Sequence, residues 1–157
     1  MNSPIKSQSE LAFEKEVIDY LTQIGGVKQW EYRKEIKTTD QLWDNFKHIL
    51  EQNNRARLDN PLSITEFNQV KKVITAIDTP YQAGQFLYGV NGVSEIEVDL
   101  DSGRHVFLTV FDQAQVGGGN TVYQLVNQIE RPKVVDGKPN RRFDITMLIN
   151  GLPILQV

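Results

Sequence analysis

The chain contains no cysteine, which excludes disulfides, thiolate zinc sites and a cysteine nucleophile together and points to a reducing compartment. Residues 1–9 carry no apolar leader core, and no run approaches the roughly 18 consecutive apolar residues of a membrane span. A cytoplasmic protein is the expectation. Positive charge is not in excess either: 17 Lys and Arg against 20 Asp and Glu leave a net charge of -3. Non-specific DNA affinity scales with the number of phosphates neutralised, so a general nucleic-acid coat is excluded and any DNA contact must be local. There is no G-x-x-x-x-G-K-[ST], so Gly117-Gly118-Gly119-Asn120 cannot cradle a triphosphate and reads as a loop. His48 and His105 stand far apart, outside H-E-x-x-H or any nucleophile signature, and read as ordinary side chains.

What is present is an ordinary globular composition, 157 residues with 39% hydrophobic and 24% charged, enough for one domain around one core. Ser7 and Glu10 have the spacing of a capping box. Leu11, Phe13, Val17, Ile18, Leu21 and Ile24 then recur at helical period until Gly25-Gly26. Residues 28–33 suggest a short strand. Thr38-Thr39-Asp40 opens a second helical pattern through Leu42, Trp43, Phe46, Ile49 and Leu50, broken at Asn60-Pro61. A third helix over 63–77 is capped by Ser63 with Glu66 and closed by Pro80. The period then changes. Residues 96–100 and 105–111 are strands around an Asp101-Ser102-Gly103 turn. Residues 121–129 fit a strand with a bulge, between loops at 117–119 and 132–139. Residues 142–149 and 152–157 form a last pair joined at Asn150-Gly151. The implied fold class is α/β, a mixed, twisted sheet flanked by helices.

Two carboxylates stand out. On a wheel of about 100° per residue Glu14 falls among Leu11, Ile18 and Leu21, inside the apolar stripe. Buried there it needs a cation, a metal or a cleft, unless its carboxylate reaches out to water along the stripe edge. Asp144 opens the run Phe143-Asp144-Ile145-Thr146-Met147-Leu148-Ile149, whose odd positions are apolar, so it belongs with Thr146 to the wetter face. Taken alone, it is equally a solvated strand start. Basic clusters occur at Arg55/Arg57, at Lys71/Lys72 and, most densely, at Lys133, Lys138, Arg141 and Arg142. The first two read as solvated surface.

The stretch Arg142-Phe143-Asp144-Ile145-Thr146-Met147-Leu148-Ile149-Asn150-Gly151-Leu152-Pro153-Ile154-Leu155-Gln156-Val157 resembles the nuclease motif of the restriction (motor, R) subunit of type I restriction-modification enzymes. In that motif an Asp begins a strand, Asn-Gly-Leu-Pro turns, and the next strand delivers Glu-x-Lys, one version of the PD-(D/E)xK nuclease core. Ser9-Glu10-Leu11-Ala12-Phe13-Glu14-Lys15-Glu16-Val17-Ile18 is similar to the family's first helix, whose glutamate faces the site. The resemblance spans essentially the whole chain and is loosest in the middle. It implies a restriction-endonuclease-like fold that ends just before Glu-x-Lys, so that residues 1–157 alone would be an inactive N-terminal fragment of the endonuclease domain. It implies Asp144 and Glu14 as catalytic residues, Asp144 as a ligand of Mg²⁺, and DNA as the substrate. ATP would bind the parent outside this segment, and methyltransferase and specificity subunits would be its partners. Arg141 and Arg142, just ahead of Asp144, would contact the DNA backbone rather than the bases.

The chemistry requires these residue types. Phosphodiester cleavage needs a divalent ion to offset developing charge and acidify a water, and hard Mg²⁺ prefers carboxylate oxygens with several waters retained. A lysine beside them steadies the transition state. The rival reading is a non-catalytic DNA-binding or subunit-docking module that keeps the fold without the chemistry.

A geometric expectation follows from the last two strands. A three-residue loop with Gly151 at positive φ would pair Leu148 with Leu152 and Asp144 with Gln156. It would place Asp144, Thr146 and Gln156 on a wet face and Ile145, Met147, Leu155 and Val157 in the core.

Overall fold

A computed structural model describes residues 8–24, 30–116, 119–130 and 142–157, with residues 142–144 described by their backbone alone. The Ser7 cap, the Gly25-Gly26 stop, Gly117-Gly118 and the 132–139 loop lie outside the described residues. One core was the expectation from composition; instead the chain divides into two compact units, Met1–Asn45 with Val122–Val157, and Phe46–Thr121. Among the described residues each has its own sheet, of four strands and of two. Among the described residues no helix is long and apolar enough to cross a membrane.

The first unit contains helix α1 (Gln8–Gln23), strand β1 (Trp30–Tyr32), the start of α2 (Thr39–Asn53), and strands β4 (Tyr123–Glu130), β5 (Arg142–Ile149) and β6 (Leu152–Gln156). The sheet order is β1-β4-β5-β6. β1 runs parallel to β4, while β4 with β5 and β5 with β6 are antiparallel. This is the mixed, helix-flanked sheet of an α/β fold. On one face Ile18 of α1 packs with Leu125 and Ile145, ringed by Val17, Leu21, Trp30, Tyr32 and Met147. On the other, Val126 and Leu148 pack with Ile36 and Leu42. Alternation along β4 and β5 sends successive apolar residues to opposite cores, as a strand covered on both faces requires. A reciprocal amide pair adds to the second face, Asn45 Nδ2 donating to Gln124 Oε1 at 2.8 Å.

The β5–β6 hairpin departs from the expected register. Gly151 does have positive φ, 81°, but Asn150 has it too, 51°, and Ile149 pairs with Leu152 and Leu148 with Pro153. This is a two-residue Asn-Gly turn of the primed type rather than a three-residue loop. Asn150 is held in it by the 122 backbone: its N–H donates to Val122 O and its Oδ1 accepts from Val122 N, both at 2.8 Å. Asn tolerates the left-handed region better than other side chains. The register then shifts between Met147 and Leu148, so that Met147 pairs with Leu155 and Thr146 with Gln156. The extra residue is accommodated beside Pro153, which has no N–H to give to the ladder. Gln156 therefore lies across from Thr146 and not from Asp144. Ile145 and Val157 exchange both backbone bonds, at 3.2 and 2.8 Å.

The assignment of faces also needs correction. Thr146 is buried, at 3% exposure, whereas Leu155 and Val157, placed in the core by their pattern, are 54% and 58% exposed. Position in the sheet decides this. β5 is central and covered on both faces, while β6 is the edge strand.

The second unit contains the rest of α2, α3 (Ile64–Thr75), α4 (Pro80–Tyr88), β2 (Val93–Asp99) and β3 (His105–Asp112). Its buried residues include Phe46, Leu50, Phe67, Val70, Ile96, Val98, Leu108 and Val110. The capping box at Ser63 and Glu66 forms as its spacing predicts. Pro80 does more than close α3: it stands in the first turn of α4, with Thr79 as N-cap accepting from Gln82 N. Proline suits that turn because its missing N–H has no helical acceptor there.

The covered centre and open edge of the first sheet differ in what a truncation costs. Leu148→Ala, at a side chain of 0% exposure, is expected to lower unfolding free energy by about 2–5 kcal/mol. Leu155→Ala is expected to change it by no more than about 0.5 kcal/mol. Urea unfolding of the two variants checks this, and equal losses would contradict the register.

Candidate active site

Glu14 is 5% exposed, on the side of α1 that buries Ile18. A carboxylate this far from water needs donors. It obtains them from two consecutive residues of β4: Asn127 Nδ2 donates to Oε1 at 2.9 Å, and Gln128 Nε2 donates to Oε1 at 3.1 Å and to Oε2 at 2.8 Å. Neighbours in a regular strand point to opposite faces, so two of them cannot ordinarily reach one carboxylate. Here Gln128 adopts φ 56°, a left-handed conformation that a non-glycine residue adopts at a cost. Alternation is broken beyond it. Ile129 packs with Val126, Ile36 and Leu148, although its parity along the strand is that of Leu125 on the α1 face. The strand bulge expected within 121–129 does not form: the β4–β5 pairing is in step on both sides of Gln128, and the irregularity is a kink at that one residue.

Asn127 is the hub of a wider network. Its Oδ1 accepts from Tyr32 Oη at 2.8 Å and from Lys37 Nζ at 2.6 Å, and Lys37 Nζ also donates to the Asn127 carbonyl at 2.8 Å. Two donors on Oδ1 fix the amide orientation and leave Nδ2 for Glu14. Lys37 arrives from the segment before α2, where Glu130 N donates to Lys37 O at 2.8 Å and Thr38 bridges Glu130, resuming the parallel line of β1. Burial pushes the Lys37 ammonium below its ordinary pKa, against the pull of Glu14 and Glu35. Burial likewise raises the Tyr32 phenol; the Asn127 bond opposes that rise and the Glu14 charge adds to it.

Asp144 lies in β5 between two residues whose partners are known: Ile145 pairs with Asn127 and Phe143 with Ile129. Gln128 and Asp144 are the residues between these two ladder steps. The fold therefore brings the Asp144 position of β5 to the β4 residue that holds Glu14. Arg142 is paired in the ladder with Glu130, while Arg141, Lys133 and Lys138 lie outside the described residues.

The remaining candidates are accounted for within the second unit. Arg57 Nη1 donates to Phe107 O and, at 3.3 Å, to Thr109 Oγ1, and it lies 3.6 Å from Glu95. Lys71 sits 5.5 Å above the Phe67 ring. His105 bonds through Nδ1 to Asp99 Oδ1 at 2.7 Å, which raises its pKa. His48 and Arg55 line a shallow cleft of about 330 Å³ with Glu51 and Asp59.

Sequence reasoning missed Tyr32, Lys37, Asn127 and Gln128. A signal was present in Leu125-Val126-Asn127-Gln128-Ile129, two adjacent amides inside an otherwise apolar run. A hard divalent cation fits the donor chemistry. Among the described residues no three His, Cys, Asp or Glu side chains gather to hold a metal, but Mg²⁺ usually takes one or two carboxylates and keeps its waters. Glu14 would supply one carboxylate to such an ion, and position 144 of β5 lies at the level of the β4 residue that holds it.

The chain is similar to a group of known proteins. The family described as Type I restriction enzyme R protein N terminus (HSDR_N) matches residues 7–157. The Type I restriction enzyme SauMSSORF170P endonuclease subunit of Staphylococcus aureus (strain MSSA476) is 31% identical over 153 residues, 96% of this chain and 14% of the relative. The SauCOLORF180P endonuclease subunit of strain COL shows the same identity and coverage. The SsaAORF53P endonuclease subunit of Staphylococcus saprophyticus is 28% identical over 152 residues. The chain thus spans about 14% of the length of these relatives.

The shifts at Lys37 and Tyr32 have opposite consequences in alkali. Native Tyr32 keeps its proton above the ordinary 10.0, so it adds stability that is lost as pH rises through its raised folded pKa. Native Lys37 releases its proton below the ordinary 10.5, so its contribution grows as pH rises through its lowered folded pKa. Relative to the parent, Tyr32→Phe should therefore lose less stability on passing pH 10.0, and Lys37→Met should lose more. Denaturant unfolding on either side of that pH checks both signs, and parallel pH profiles for the two variants would contradict the network.

Proposed function

Because the chain belongs to the family of type I restriction enzyme R protein N termini, we propose that it forms the N-terminal part of the endonuclease domain of such a subunit. The proposed core is of the PD-(D/E)xK type, and the parent protein cuts DNA with Mg²⁺ and ATP. One observation carries this reading: a buried carboxylate on α1, Glu14, is held by the residue of β4 that stands at the level of Asp144 in β5. Burying a carboxylate where apolar packing would serve is costly, and such costs concentrate at functional sites.

In this reading Asp144 would hold Mg²⁺, and Glu14 would help to hold it from the helix side. Held there, a divalent ion would supply an acidified water and would offset charge on the phosphate. The protein's part is to present two carboxylates at fixed separation and to keep Glu14 from turning away. Register supports the same arrangement. Thr146 pairs with Gln156, and Ile145 bonds with Val157, so one further step would set Asp144 against the position after Val157, where the family pattern begins its Glu-x-Lys. Arg141 and Arg142 contact phosphates rather than bases. ATP binds elsewhere in the parent, since this sequence has no P-loop, and methyltransferase and specificity subunits assemble with it.

Both claims are tested in the full-length subunit assembled with its methyltransferase and specificity partners. Asp144→Ala is expected to lower Mg²⁺-dependent cleavage by about 10² to 10³ or more, with ATP hydrolysis retained. Replacing Arg141 and Arg142 together by Ala should weaken DNA binding evenly across sequences and reduce its salt dependence. Undiminished cleavage by Asp144→Ala would favour a docking module instead, and an altered sequence preference in the Arg variant would reject the backbone role.

A further inference from the structure

We propose that Gln128 and Asn127 are positioning residues for Glu14, and that the left-handed backbone at Gln128 is retained in β4 because it turns two consecutive amides onto that one carboxylate. The inference rests on the nuclease reading above and extends it to residues that are neither metal ligands nor substrate contacts. A left-handed non-glycine residue inside a paired strand costs free energy and persists only where its surroundings impose it. At Gln128 (φ 56°) the β4–β5 ladder continues in step on both sides, Asn127 with Ile145 and Ile129 with Phe143. Pairing therefore does not demand the kink. A regular strand would place Ile129 on the α1 face beside Leu125, so the kink also sends Ile129 to the core of Val126, Ile36 and Leu148.

What the kink does achieve is a two-sided hold on Glu14. Gln128 Nε2 lies 3.1 Å from Oε1 and 2.8 Å from Oε2, so it bridges the two oxygens, while Asn127 Nδ2 reaches Oε1 at 2.9 Å. Three contacts from two amides fix the plane of the carboxylate as well as its place. Asn127 is itself fixed, because Tyr32 Oη and Lys37 Nζ occupy its Oδ1 at 2.8 and 2.6 Å. A ligand or water-holding carboxylate oriented in this way loses little freedom when a cation arrives, and removal of such orienting partners typically costs about 10- to 100-fold in metal affinity.

The test is Mn²⁺ binding to the full-length subunit without DNA, followed by loss of the free-ion electron paramagnetic resonance signal, so that no turnover is read. Gln128→Gly relieves the backbone and removes the amide. Asn127→Asp keeps the acceptor for Tyr32 and Lys37 but cannot donate to Glu14. Each is expected to weaken Mn²⁺ binding about 10- to 100-fold, as should Glu14→Gln, and Gln128→Gly added to Glu14→Gln should weaken it no further. If the glycine variant does not fold, Gln128→Met serves, since it keeps the side-chain length and loses only the amide. Mn²⁺ binding unchanged in the Gln128 variant, or a loss that adds in full to that of Glu14→Gln, would overturn the inference while Asp144→Asn still abolishes binding. If Asp144→Asn leaves Mn²⁺ binding intact, the nuclease reading fails and this inference falls with it.

Discussion

A carboxylate buried in an apolar helix stripe has to be satisfied from the surface it packs against, and in this protein that single requirement shapes the sheet. Glu14 is buried on the same side of α1 as Ile18, so the helix cannot dock on Leu125 and Ile145 without bringing the charge with it. An unpaired ionised group there would cost several kcal/mol. The neighbouring strand answers with two amides instead of apolar side chains, and delivers both to one face by a left-handed residue. The same residue redirects Ile129 to the opposite core. Tyr32 and Lys37 complete the arrangement from the β1 line, and burial of these two side chains is the largest cause of the directions in which their pKa values move.

The site and the scaffold therefore share residues. β4 is paired on both sides, to β1 and to β5, and it is the strand that carries the kink. A strained residue in such a strand is held by the ladder around it, whereas at an edge it could relax. The edge is β6, with Leu155 exposed on it and Val157 exposed just beyond it, and it closes the hairpin that β5 opens at Arg142. Its Asn-Gly turn and the register shift beside Pro153 together leave Thr146 and Gln156 as partners. The turn alone would have set Asp144 against Val157. The shifted register instead sets Val157 against Ile145.

Periodicity made the elements legible: α1, α2, α3, the β2–β3 hairpin and the three strands of the C-terminal half all follow from it, as does the place of Glu14 inside the apolar stripe of α1. It failed where a residue's meaning depends on its neighbours in space. Pro80 reads as a stop from upstream and as a helix start from downstream, so α4 was hidden. Thr146 and Leu155 were assigned to opposite environments by alternation, but whether a strand lies inside a sheet or at its edge is settled by tertiary pairing. The division into two units was equally invisible, because α2 supplies Leu42 to one core and Phe46 to the other. Asn127 and Gln128 went unrecognised because their partner lies more than a hundred residues away in sequence. Asp144 owed its prominence to family resemblance, since alternation alone made it an ordinary strand start.

The central proposal is that a divalent ion binds where α1, the kink of β4 and the Asp144 level of β5 meet. Exchanging Mg²⁺ for Fe²⁺ in the full-length subunit, with ascorbate and peroxide, generates radicals at the bound ion that cut the backbone nearby. The fragments, mapped by mass spectrometry, should show scission beside Glu14, at Asn127-Gln128 and at Asp144, competed by excess Mg²⁺ and lost in Asp144→Asn. Scission confined to other segments and indifferent to the Asp144 substitution would contradict the account.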